Sequence, residues 1–93
     1  MHTRVVESRF LGRTRQLVRM AREHQSLQVR FGQRVKRLRE ARGWSFTYLS
    51  VHSGLAKNTI VEVESGRTEP RLNTIAVLAG SFGKTLSELL RGL

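Results

Sequence analysis

From Gln28 onward the apolar positions recur with the period of a helix. Phe31, Val35, Leu38 and Ala41 stand at i, i+4, i+7 and i+10, which predicts a first helix with one buried face. Gly43 after them suits a left-handed cap. Trp44 is expected to fold back onto the core, and Ser45 to cap a second helix that carries Leu49 inward and ends near His52, with Ser53-Gly54 as a tight turn. In the next short run Ile60 and Val63 share one face, whereas Lys57, Asn58, Val61, Glu62 and Ser65 gather on the other. Past Gly66, Arg67-Thr68-Glu69-Pro70 reads as a loop leading into a helix. Leu72, Ile75, Leu78, Ala79 and Phe82 then keep a helical period up to Gly83, with Gly80 as a weak point inside it. Thr85-Leu86-Ser87-Glu88 has the form of a capping box opening a short terminal helix. That helix carries Leu86, Leu89, Leu90 and Leu93, more leucines than one face uses, so some are expected to pack against a second subunit, with a larger monomer core as the competing reading.

Residues 1–27 form a different kind of segment. Val5, Val6, Phe10, Leu11, Leu17, Val18, Met20 and Ala21 make a discontinuous helical stripe, broken by Gly12 and surrounded by arginines. A disordered basic arm, a helix packed on the domain or a partner, and a helix lying along DNA or an acidic surface all fit this pattern. The many aliphatic residues favour partial order, since a wholly disordered arm seldom carries so many. The expected organisation is a basic, partly helical extension over 1–27 and one all-α domain over 28–93.

Charge sharpens that division. The 93 residues carry a formal net charge of +10, and residues 1–43 hold twelve Lys and Arg against three Glu. Attraction to a polyanion is therefore loaded ahead of the two-faced run at 57–65. The chain has no cysteine, and His2, His24 and His52 lack ligand spacing, so neither a metal site nor a cofactor is expected. No apolar run approaches a membrane span, and no signal-peptide core opens the chain, so a cytoplasmic protein without membrane contact is expected. Gly83-Lys84-Thr85 imitates the end of a phosphate-binding loop, but the position needing the first glycine is Leu78 and the segment joins two helices. No nucleophile, base and orienting acid come together, so the sequence points away from catalysis.

In order and spacing, the elements from about Phe31 to Leu90 resemble the Cro/cI-type, lambda-repressor-like helix-turn-helix family. The residues that carry the resemblance are Phe31-Gly32, Val35, Leu38-Arg39 and Gly43, then Ser45, Leu49 and Gly54-Leu55. They continue with Thr59-Ile60, Val63-Glu64 and Gly66, Pro70, Leu72, Thr74-Ile75, Leu78-Ala79, Phe82-Gly83, Leu86 and Glu88-Leu89-Leu90. The resemblance implies a five-helix domain that binds duplex DNA as a homodimer, a transcriptional repressor or autoregulator reading the major groove with helix 56–65.

Position by position, the resemblance makes Lys57, Asn58, Val61 and Glu62 the base readers. Ser45, Phe46, Thr59, Arg67 and Arg71 become phosphate contacts, those of Ser45 and Phe46 through the backbone at the start of the second helix. Apart from the resemblance, the leucine count of the terminal helix makes Leu86, Leu89, Leu90 and Leu93 the expected dimerisation residues. Arg39 and Glu64 match the family's buried ion pair, and the physics agrees, because a carboxylate at a helix C-terminus needs a cation. Phe46 stands where many relatives have glutamine and is expected to pack under the N-terminal extension or project toward a partner. Ala56 stands where a serine cap is usual. An antitoxin-like or other protein-interaction module on the same scaffold is the alternative, with the Phe46/Tyr48 surface and the N-terminal extension as its contact patch.

Overall fold

The computed structural model describes residues 27–93, and every regular element among them is a helix. Helix α1 covers residues 27–41, α2 is Phe46–Ser53, α3 is Lys57–Ser65, α4 is Leu72–Ser81 and α5 is Leu86–Leu90. The expectations for the extension at residues 1–26 lie outside the described residues, and Leu27 already belongs to α1. None of the described helices is long and apolar enough to cross a membrane.

Each helix gives the core a few large side chains, and none could bury them alone. Phe31 and Val35 come from α1, Leu49 from α2, Ile60 and Val63 from α3, Leu78 and Ala79 from α4, and Leu89 from α5, with Phe82 closing the end of α4. Helices this short are marginal in water by themselves, so their stability comes from this shared burial. Trp44 folds back as its position predicts, its ring stacked on Phe82 with centroids 5.7 Å apart.

Local hydrogen bonds set the helix ends. The Ser45 hydroxyl accepts from the Tyr48 N–H at 3.0 Å and caps α2. At α5 the capping box is reciprocal: the Thr85 N–H donates to the Glu88 carboxylate at 3.0 Å, and the Glu88 N–H donates to the Thr85 hydroxyl at 3.1 Å. Those bonds, the one from the Thr85 backbone foremost, hold the Glu88 carboxyl below the usual glutamate range. Ala56 opens α3 with N-cap backbone angles but no side-chain acceptor. Ala56→Ser is therefore expected to add about 1 kcal/mol. In a domain of this size that raises the thermal midpoint by about 4–8 °C, read by circular dichroism.

Three positions depart from the periodic pattern. Ala41 is exposed at the last turn of α1, beside a groove rather than inside the core. Leu72 is 70% exposed, because as the first residue of α4 it lies beyond the ground its neighbours cover. Leu89 is fully buried in the core, so it has no surface to give a second subunit, and the expected dimer strip reduces to Leu86, Leu90 and Leu93. Phe46 packs half-buried on the core with the Arg39 guanidinium 4.0 Å from its ring centre, and the extension expected to cover it lies outside the described residues.

Candidate nucleic-acid interface

Helix α3 owes its position to the turn before it and to α1 behind it. The chain leaves α2 through Gly54, whose φ of 79° lies in the left-handed region that glycine adopts without strain. Side chains then tie down the three-residue connection. Ser50 Oγ donates to the Leu55 carbonyl at 2.6 Å, and the Leu55 N–H donates to Ser53 Oγ at 3.1 Å. With Leu55 packed against the core, α3 leaves α2 in a set direction.

The second constraint is an ion pair with almost no exposure. Arg39 Nε donates to Glu64 Oε2 at 2.7 Å and Nη2 to Oε1 at 3.0 Å, a two-pronged contact that fits guanidinium to carboxylate. The two side chains are only 9% and 4% exposed. Arg39 Nη1 also donates to the Trp44 carbonyl at 2.8 Å, so the same cation holds the link between α1 and α2. The hydrogen bonds to Glu64 hold the Arg39 guanidinium above its ordinary pKa, against the opposing effect of burial.

Backbone contact completes the lock. A Cβ at Gly32 would sit 2.3 Å from the Val63 carbonyl oxygen and 2.9 Å from that of Glu64. Thus α1 approaches the last turn of α3 more closely than any side chain would allow.

With Ile60 and Val63 buried and Glu64 tied to Arg39, the remaining positions of α3 face outward. Lys57, Asn58, Val61, Glu62 and Ser65 are all exposed and share that face. Thr59 is half-buried at its edge, and Arg67 and Arg71 are exposed just beyond the C-terminal end. The first turn of α2, with Ser45 exposed ahead of it and an acid-free start, supplies further backbone N–H groups. Leu86, Leu90 and Leu93 lie on α5 or just past it, away from these residues in the chain. The surface offers one apolar contact, four hydrogen-bonding side chains that include a cation and a carboxylate, and flanking arginines, a set suited to base edges and phosphates together.

Sequence reasoning left three contributors to this geometry unassigned. The Gly32 contact was signalled only by a glycine inside a strong helical pattern. Arg42 donates to the Phe82 carbonyl at 2.9 Å and lies over the Phe82 and Trp44 rings. The rings of Trp44, Tyr48 and His52 contact one another along the outer side of α2, and His52 Nε2 stands 3.2 Å from the Ser81 carbonyl. The four-residue spacing of 44, 48 and 52 was the available signal for that ladder.

Comparison with known proteins bears on the same region. A family described as a helix-turn-helix domain matches residues 30–92. The chain is also 40% identical over 57 residues to the HTH-type transcriptional regulator AnsR of Bacillus subtilis. That match covers 61% of this chain and 49% of the relative, so this chain spans about half the length of the curated relative it matches.

Proposed function

The chain belongs to the helix-turn-helix DNA-binding family, and from that premise we propose that it is a sequence-specific transcriptional regulator, a dimeric repressor or autoregulator reading the major groove with α3. The observation that carries this reading is the division of α3 into a face locked to α1 and a free polar face flanked by Arg67 and Arg71. Lys57, Asn58, Val61 and Glu62 face the bases in this reading. Val61 meets a thymine methyl and Glu62 accepts from a cytosine amino group. Arg67, Arg71, Thr59 and the backbone at the start of α2 meet phosphates. The strip of Leu86, Leu90 and Leu93 joins two copies so that their reading helices fall about one helical turn apart, roughly 34 Å.

The test is a binding selection from random duplex DNA, made with the full chain at low and near-physiological salt. An inverted repeat with one-turn spacing that survives salt is the expected result. Enrichment that vanishes with salt would leave only counterion release and sink the proposal. On the selected site, Arg67→Ala should weaken all sequences alike and flatten the salt dependence by about one phosphate contact. Asn58→Ala and Glu62→Ala should each cost about 1–3 kcal/mol on that site and relax preference at particular base pairs. If Arg67→Ala changed sequence preference while Glu62→Ala weakened every site equally, these roles would be wrong.

A protein-interaction module is the second reading, favoured by the outer side of α2, where Tyr48 is 50% and Val51 80% exposed. Failure of the selection at both salts would bring it forward.

A further inference from the structure

A basic groove runs between α1 and α5, on the side of α1 turned away from α3. Arg34, Arg37, Leu38 and Ala41 line it from α1, at the i, i+3, i+4 and i+7 spacing of one helix face. Gly32 and Arg39, which meet α3, lie on another face of the same helix. From the other side come Lys84, Glu88, Leu89 and Arg91, and the groove encloses about 480 Å³. Four cations thus stand around an apolar lining with one carboxylate among them.

The cations are not spent on one another's neighbours. Arg34 is engaged, donating to the carbonyls of Leu89 and Arg91 at the end of α5. Among the described residues, the side chains of Arg37, Lys84 and Arg91 make no hydrogen bond or ion pair. Glu88, the one nearby acid, accepts from the Thr85 N–H and also feels the charges of Lys84 and Arg91 at longer range. Arg37 has no acid beside it, and Lys84 and Arg91 share Glu88 without a direct bond, so the groove keeps a net positive charge beside its apolar patch.

Charge decides what fills the groove. The segment 1–26 carries six Arg against two Glu, and the whole chain is +10, so neither that segment nor a second copy complements it. The duplex read by α3 lies on another side of the domain. Phosphates would have no use for the apolar lining of Leu38 and Ala41. Carboxylates interspersed with an aliphatic side chain match both features at once.

We propose that the α1–α5 groove docks an acidic segment of a partner protein, with an aliphatic anchor on Leu38 and Ala41 and carboxylates on Arg37, Lys84 and Arg91. Glu88 lies on the other side of α5 from Leu86 and Leu90, and neither leucine lines the groove, so the groove stays open when the leucine strip is covered. The partner is thus held while DNA is bound.

The experiment titrates the isotope-labelled full chain with an acetylated peptide of interspersed Glu and Leu, an all-Glu peptide of the same length, and duplex DNA, following amide shifts. The expected result is that the Glu/Leu peptide moves the amides of Ala41 and Glu88 and leaves those of α3 unmoved. Charge reversal by Arg37→Glu with Lys84→Glu should weaken it about tenfold or more. Ala41→Glu, on an exposed position, provides an independent block should the double variant fail to fold. Equal binding of the all-Glu peptide at the same amides would reduce the groove to a charge patch and overturn the anchor. Shifts there from duplex DNA, or peptide shifts confined to α3, would overturn the proposal outright.

Discussion

Arg39→Met is expected to destabilise the domain by about 3–5 kcal/mol, the cost of leaving a buried carboxylate without its cation. Glu64 is 4% exposed and receives both its charged hydrogen bonds from Arg39. Methionine fills much of the arginine's volume but donates nothing, so Glu64 must drag in water, take up a proton or pull α3 from α1. The Trp44 carbonyl loses its donor from Arg39 in the same step, and the Phe46 ring loses the guanidinium lying over it. A domain of this size changes its midpoint by roughly 4–8 °C for each kcal/mol, so the loss is large by thermal denaturation.

Arg39→Met with Glu64→Leu tests whether the penalty belongs to the orphaned charge. Replacing both partners by apolar side chains is often neutral or better, so the double variant should recover most of the loss. None of the changed atoms belongs to the outward face of α3, so DNA binding should return with the fold. A single variant that melts like the parent would show that the pair contributes no net stability. A double variant as unstable as the single one would transfer the effect to the lost Trp44 bond or to packing.

The features legible in the sequence are those settled within a few residues or by one helix alone. Ser45 and the Thr85/Glu88 pair cap their helices because the bonds involved span three positions, and Ile60 and Val63 turn inward because three residues nearly complete a turn. Where neighbouring helices stop is a different matter. Ala41 and Leu72 keep the apolar period yet stand exposed, since each sits at a helix end where no neighbouring side chain covers it. The apolar count on α5 correctly signalled surplus leucine but not which one the monomer uses, and Leu89 proves to be the core member. Arg34 on α1 donates across to the end of α5. Its acceptors are carbonyls more than fifty residues away, and no local pattern announces such a bond. In the candidate interface, periodicity placed Lys57, Asn58, Val61 and Glu62 on one face, whereas what holds that face in position depends on the crossing of α1 and α3.

Gly32→Ala puts that crossing to the test, and the expected result is a loss of about 1–3 kcal/mol. On propensity alone the change should help, since alanine is better than glycine inside a helix by up to about 1 kcal/mol. Yet the added methyl meets the carbonyl oxygens of Val63 and Glu64 at 2.3 and 2.9 Å, and these are backbone atoms that no rotamer change can clear. Either α1 bows or the last turn of α3 moves outward, stretching the Arg39–Glu64 bonds and shifting the face that carries Val61 and Glu62. Gly80→Ala supplies the internal control, because nothing lies within 4 Å of a Cβ there and α4 simply gains propensity. It should stabilise by about 0.5–1 kcal/mol. Opposite signs for the same substitution, measured by denaturant unfolding, would trace the Gly32 effect to the contact between helices. If Gly32→Ala were as stable as Gly80→Ala, α1 and α3 would have room to part freely, and the reading face would not be held by backbone approach.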